Sequence, residues 1–102
     1  MKYNKLVRDN IPKVIKKSGK NPVIHIANEE EYWKKLKEKL SEEVDEFLKE
    51  SNEEEIADIL EIIDAICKFK GFDKKKIDEI KKQKAEKRGK FDDKIILDEV
   101  ND

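Results

Sequence analysis

The stretch LSEEVDEFLKESNEEEIADIL, residues 40–60, decides the fold of this chain. Two segments with helical apolar periodicity meet at Ser51-Asn52, residue types that end one helix and cap the next. So short a break permits only a direct reversal, and the flanking helices form an antiparallel hairpin. The same stretch is dense in acid. Ser41 to Asp58 holds nine carboxylates and one lysine in eighteen positions. An acid run is usually a solvated helix face, and its placement against the apolar residues decides whether it is more.

Upstream, Asn28 followed by Glu31 has the form of a capping box and opens a helix of about 22 residues ending at Glu50. Downstream, the partner helix runs to about Lys70, with Gly71 as its stop. Asp73 caps a further helix through KKKIDEIKKQKAEKR, which ends at Gly89. Near the N-terminus, IPKVIKKSG reads as a short helix with Asp9 or Asn10 as cap, Pro12 in its first turn and Gly19 at its end. PVIHI alternates weakly and reads as extended, and the apolar run Ile95 to Leu97 in the tail is expected to dock on the body. No internal repeat and no low-complexity linker is present.

At about 100° per residue, Trp33, Leu36, Leu40, Val44 and Phe47 form the apolar stripe of the first long helix. Glu43 lies beside Leu36 at the edge of that stripe, and Glu46 one step further out. On the second helix Ile56, Ile59, Leu60, Ile63, Ile66 and Cys67 form the stripe. Glu55 falls between Ile62 and Ile66, inside the apolar arc, with Asp58 beside it. Glu42, Asp45, Glu54 and Glu61 point away and read as surface acids. The pairs Glu46/Glu55 and Glu43/Asp58 are symmetric about one point just before Ser51. Four carboxylates therefore meet across the hairpin in two layers about 4.5 Å apart. Carboxylates crowded in a partly apolar place repel one another unless a cation compensates, and oxygen-only donors favour a hard ion, Mg²⁺ or Mn²⁺. The competing reading is local: Glu55 as the capping-box partner of Asn52, and Glu43 paired with Lys39. Spacing alone leaves both open.

The composition agrees with a helical domain. The chain has 102 residues, 48% charged and 36% hydrophobic, with three Gly and two Pro. One domain, 1–102, is the natural size, with a modest core that partner chains often supplement. Cys67 is the only cysteine, which excludes an intrachain disulfide and suits a reduced, cytoplasmic setting. No apolar run approaches the roughly 20 residues needed to span a bilayer, and MKYNKLVRDNIP has no signal-peptide core. Charge is unevenly spread: +6 over residues 1–28, −10 over 41–66, +7 over 68–90 and −4 over the last twelve. Alternating blocks suit a phosphate ligand held through a cation, as well as plain internal balance. Residues 74–90 contain no aromatic to stack on single strands, and the acidic block repels a nucleic-acid backbone, so no nucleic-acid polymer is expected as partner.

EEVDE (42–46) followed by EEIAD (54–58) resembles the paired acidic motif of the MazG-like, all-α nucleoside triphosphate pyrophosphohydrolases. That superfamily includes MazG itself, phosphoribosyl-ATP pyrophosphohydrolase and the dimeric dUTPases. YNKLVRDNIP (3–12) and KRGKF (87–91) resemble a compact subgroup of it, and the resemblance runs from about residue 3 to residue 97. Only eight residues separate Glu46 from Glu55, fewer than is usual between these motifs, which leaves less room for a loop over a substrate.

The resemblance implies Mg²⁺ (or Mn²⁺) held by Glu43, Glu46, Glu55 and Asp58. It also implies cleavage of a nucleoside triphosphate between the α and β phosphates to give a monophosphate and pyrophosphate. Such an ion neutralises phosphate oxygens and acidifies a bound water, and Glu46, further from the apolar stripe than Glu43, is the expected acceptor of that water's proton. With His25 the only histidine and Cys67 on a core face, covalent catalysis is not expected.

Lys84, Lys87 and Arg88 end a basic helix and are candidates for binding the β and γ phosphates; their bland role is to complement the helix dipole. Lys5, Arg8 and Asp9 are candidates for bracing or lining the site, Arg8 through an ion pair. Trp33 and Phe47 read as core rather than a base pocket, and His25 as structural or exposed.

The resulting expectation is an all-α helical hairpin, completed into a four-helix-bundle-like MazG fold by a homodimer or homotetramer. The expected function is Mg²⁺-dependent nucleotide pyrophosphohydrolysis, with house-cleaning of the nucleotide pool as a role. Phosphoribosyl-ATP pyrophosphohydrolysis in histidine biosynthesis and a non-catalytic helical interaction module are the alternatives.

Overall fold

Four helices order the chain in the computed structural model, which describes residues 3–102: α1 (Ile11–Lys17), α2 (Glu29–Glu50), α3 (Glu53–Lys70) and α4 (Lys74–Arg88). No described residue is in a β-strand. The described residues fall into two compact units, one ending at Lys70 and one of Gly71–Asp102.

The first unit is built on the α2/α3 hairpin. The Asn28 side chain accepts the Glu31 backbone N–H at 2.9 Å and starts α2. Only half of the expected capping box forms, because the Glu31 carboxylate turns to His25 Nε2 at 2.8 Å. Ser51 ends α2 in the left-handed region (φ 51°), donating its backbone N–H to Phe47 O at 2.7 Å. One residue later Asn52 Oδ1 accepts the Glu55 backbone N–H at 3.0 Å and starts α3. A left-handed C-cap followed at once by an N-cap reverses the chain without a loop.

The antiparallel register also shows in residues far from the acids. Tyr32 and Phe69, symmetric about the same point as Glu43 and Asp58, meet edge to face with ring centroids 5.3 Å apart. Trp33 stacks on Phe69 at 5.8 Å, with Lys70 Nζ 4.0 Å from the Trp33 ring centre. Such contacts contribute about 0.5–1.5 kcal/mol per aromatic pair beyond the burial itself. They close the open end of the hairpin. Leu36 is fully buried, and Cys67 nearly so.

The core is thin. Among the described residues only Leu36 and Cys67 are buried apolar side chains. Ile59 and Ile66 are half-buried, as is Ile62, whereas Ile56, Leu60 and Ile63, expected in one stripe with Ile59 and Ile66, are 41%, 55% and 41% exposed. Val44 and Leu48 of α2 are exposed too. The apolar arc of α3 is thus wider than α2 alone covers, and one edge of it faces outward. Residues 22–26, expected as extended, carry no regular structure, and Val23 and Ile26 are exposed.

In the second unit, Asp73 Oδ1 accepts the Lys75 backbone N–H at 2.9 Å and caps α4, and Gly89 (φ 82°) ends it. The tail carries no helix or strand. Ile95, Ile96 and Leu97, expected to dock, are 75–81% exposed. Three consecutive apolar residues in a segment without helical or strand periodicity present no single face to bury. No helix of the described residues is long and apolar enough to cross a membrane.

Candidate metal centre

Glu43 lies two turns beyond Leu36 on α2, on the side turned toward α3, and is buried at 7% exposure. Glu55 and Asp58 stand one turn apart at the start of α3 and are half-buried. Each of the three offers a carboxylate oxygen, and these oxygens lie within 4.8 Å of one another. Glu43 and Asp58 come together as their symmetric positions require. Glu55 joins them because Asn52 fixes the first turn of α3, with Glu55 as its third residue. The capping role is confined to the Glu55 backbone N–H; the carboxylate itself belongs to the cluster.

Two native cations serve the edges of this cluster. Lys39 Nζ lies 3.3 Å from Glu43 Oε1, one turn away on α2. Arg8 Nη2 donates to Asp58 Oδ1 at 2.9 Å, and Nη1 lies 3.7 Å from Glu61 Oε1. The interior is left unserved: Glu43 Oε2 and Glu55 Oε2 are both buried without a hydrogen-bond partner. Buried carboxylate oxygens without donors are costly. The strain registers on Glu55, whose carboxyl is held above the ordinary glutamate value. Removal from water is the largest cause, followed by the charge of Glu46 and by the neighbouring Glu43 and Asp58. Three close carboxylates, two unpartnered buried oxygens and no nitrogen or sulfur donor fit a hard divalent cation such as Mg²⁺ or Mn²⁺.

Glu46, the fourth expected ligand, stands apart from this close set. It is exposed, and it acts on the cluster through its charge on Glu55. Of the expected supporting residues, Arg8 reaches the cluster directly. Lys5 reaches Glu42 at 3.4 Å, beside Glu43. Asp9 lies in the turn before α1. Lys84, Lys87 and Arg88 are exposed on the last turns of α4, in the second unit. Glu42 and Glu61, read from the helical wheel as plain surface acids, are the anchors for Lys5 and Arg8. The position of Glu61, one turn after Asp58, is the signal for a guanidinium spanning both. The hydrogen bond from Lys35 Nζ to Asn4 O, 2.7 Å, has no sequence signal, because a backbone acceptor carries none.

No family model matches the chain, and no solved structure matches it. A protein of Mycolicibacterium smegmatis (strain ATCC 700084 / mc(2)155), described only as an uncharacterized protein, is 54% identical to it over 41 residues. That stretch covers 40% of this chain and 42% of the relative, so the chain is similar to less than half of that protein's length.

Proposed function

We propose that the chain is a Mg²⁺-dependent nucleoside triphosphate pyrophosphohydrolase of the MazG-like kind. One observation carries the reading. Glu43, Glu55 and Asp58 bring carboxylate oxygens within 4.8 Å, and two buried oxygens of that set have no partner. A merely solvated acid face would not bury them. The paired EEVDE and EEIAD motifs on the two arms of the hairpin support the same reading.

In this proposal Glu43, Glu55 and Asp58 hold the ion, with Glu46 at the outer edge. When bound, Mg²⁺ supplies charge neutralisation for phosphate oxygens and lowers the pKa of a water. Glu46, exposed and free of the close set, accepts the proton of the attacking water. The exposed edge of α3, Ile56, Leu60 and Ile63, is proposed to be covered by a second copy of the chain in a homodimer or homotetramer. The thin core supports this, since a small domain lacking internal burial gains it by association.

The same exposed edge favours a second reading, a helical interaction module without catalysis. The deciding experiment is pyrophosphate release from a panel of nucleoside triphosphates, phosphoribosyl-ATP included, with and without Mg²⁺ and beside Glu55→Gln. Mg²⁺-dependent release that collapses in the variant is expected. Absence of release from every substrate, with Mg²⁺ leaving stability unchanged, would favour the interaction module.

A further inference from the structure

The segment before α1 is fastened to the hairpin at three points. Lys35 Nζ of α2 donates to Asn4 O at 2.7 Å. Lys5 Nζ reaches Glu42 of α2 at 3.4 Å. Arg8 reaches Asp58 and Glu61 of α3. Residues 4–8 therefore form a strap across both arms of the hairpin, and its last anchor is a carboxylate of the candidate metal centre.

Asp58 thus serves two groups. One oxygen accepts from Arg8 at 2.9 Å, and the carboxylate also belongs to the set within 4.8 Å. A guanidinium bridging Asp58 and Glu61 fixes the rotation of the Asp58 carboxylate from outside. Outer partners of this kind orient a ligand, and their loss typically weakens metal binding about 10–100-fold.

Charge argues that a divalent ion joins Arg8 at Asp58 rather than replacing it. Glu42, Glu43, Glu46, Glu55, Asp58 and Glu61 are six carboxylates in and beside the site. They share three cationic partners, Lys5, Arg8 and Lys39. A divalent ion added to that excess leaves the site still negative, so no native cation has to leave. The buried Glu43 Oε2 and Glu55 Oε2, which neither Arg8 nor Lys39 serves, are what the ion supplies with a partner.

From this juxtaposition we infer that Arg8 is a positioning residue for the metal centre, and that the strap of residues 4–8 closes more firmly on the hairpin when a divalent cation binds. The inference rests on the proposed metal reading and adds a coupling to it. Because binding linkage is reciprocal, an ion that fixes Asp58 stabilises the Arg8 anchor by the same factor that Arg8 strengthens the ion. Loss of Lys5 does not remove the Asp58 contact and is expected to loosen the strap with a smaller effect on the ion.

The test combines Mn²⁺ binding, followed by electron paramagnetic resonance, with amide hydrogen exchange of residues 3–10. Both are run on wild type, Arg8→Gln, Arg8→Lys, Lys5→Gln and Glu55→Gln. The expected result is Mn²⁺ binding by wild type that weakens about 10–100-fold in Arg8→Gln. Arg8→Lys should recover part of that loss, because a single ammonium cannot span Asp58 and Glu61 as a guanidinium does. In wild type Mn²⁺ should slow exchange in residues 4–8, and in Arg8→Gln it should not. A merely structural strap would lower thermal stability in Arg8→Gln but leave Mn²⁺ affinity unchanged, and that outcome overturns the coupling while the metal centre stands. Faster exchange on adding Mn²⁺ also overturns it, since the ion would then displace Arg8. If wild type binds no Mn²⁺ and Glu55→Gln changes nothing, the metal reading and the coupling fall together.

Discussion

The Asn52 side chain accepts the Glu55 backbone N–H at 3.0 Å, and the Glu55 carboxylate stands among Glu43 and Asp58. One residue thereby starts α3 and sets the first turn that presents a candidate ligand. Stability and site geometry are linked through that cap. Asn52→Ala is expected to cost about 1 kcal/mol, the usual worth of an N-cap side chain, and to weaken Mn²⁺ binding as well. Asn28→Ala removes the equivalent cap of α2 at a comparable cost, but it lies far along the helix from Glu43 and should leave Mn²⁺ binding unchanged. Urea denaturation followed by circular dichroism, beside Mn²⁺ titration of both variants, separates the two effects.

Glu55 gives a pH signature of defined sign. Its carboxyl is raised in the folded chain, first by removal from water and then by Glu46, Glu43 and Asp58. The folded chain therefore holds this proton to higher pH than the unfolded chain does. The stability contributed by that proton is fully present below the ordinary glutamate value and is lost as pH rises through the raised folded value. In metal-free buffer, wild type should lose stability relative to Glu55→Gln as pH is raised from about 4 to about 7. Parallel urea midpoints for the two proteins across that range would show that Glu55 does not carry the raised value.

A divalent cation should reverse that penalty by favouring ionised carboxylates. At about one hundred times its dissociation constant, an ion bound only by the folded chain adds about 2.7 kcal/mol of stability. Mg²⁺ is expected to raise the melting temperature of wild type and to leave Glu43→Gln and Glu55→Gln nearly unmoved. Differential scanning fluorimetry with Mg²⁺ or EDTA checks this, and equal shifts in all three proteins would place the ion elsewhere.

The hairpin was legible because each local signal agrees with the next. Asn28, Ser51-Asn52 and Gly71 bound the long helices, and the positions of Glu43 and Asp58 about the break put them face to face. The capping of Glu55 and its placement in the apolar arc both stood in the sequence, and the structure shows that its backbone and its side chain each do one of them. What was not legible has two physical causes. A wheel shows that Leu60 and Ile63 are apolar neighbours of Ile59, but not how wide an arc one partner helix covers, and α2 leaves them exposed. Contacts made by a distant strap, such as Arg8 on Asp58 and Glu61, depend on the path of a segment with no periodicity to read.

Leu36 tests how much rests on the thin core. It is fully buried, beside the turn that carries Trp33 and on the same helical face as Glu43, two turns before it. A buried leucine cut to alanine costs about 2–5 kcal/mol through lost transfer energy and the cavity left behind. With so few buried apolar side chains, repacking offers little relief. Leu36→Ala is expected at the upper end of that range, read as a lowered urea midpoint. A cost under about 1 kcal/mol, the usual scale for an unremarkable substitution, would show that burial in this unit resides elsewhere.

Leu60→Lys tests the exposed edge of α3. In the single chain Leu60 is 55% exposed, with Ile56 and Ile63 on either side of it along the helix. A lysine in a solvated position costs a few tenths of a kcal/mol at most. The same lysine buried against a second copy puts a charge into an apolar contact, which costs several times more. The substitution therefore reads the environment of this edge directly. If the chain associates through it, wild type sediments as a dimer or tetramer, and Leu60→Lys sediments as a monomer with lower thermal stability. Exposed Val23, 94% accessible and outside any helix, supplies the control: Val23→Lys should change neither mass nor stability. A wild type that sediments as a monomer, with Leu60→Lys as stable as Val23→Lys, would leave the α3 edge solvated and remove the second copy from the proposed architecture.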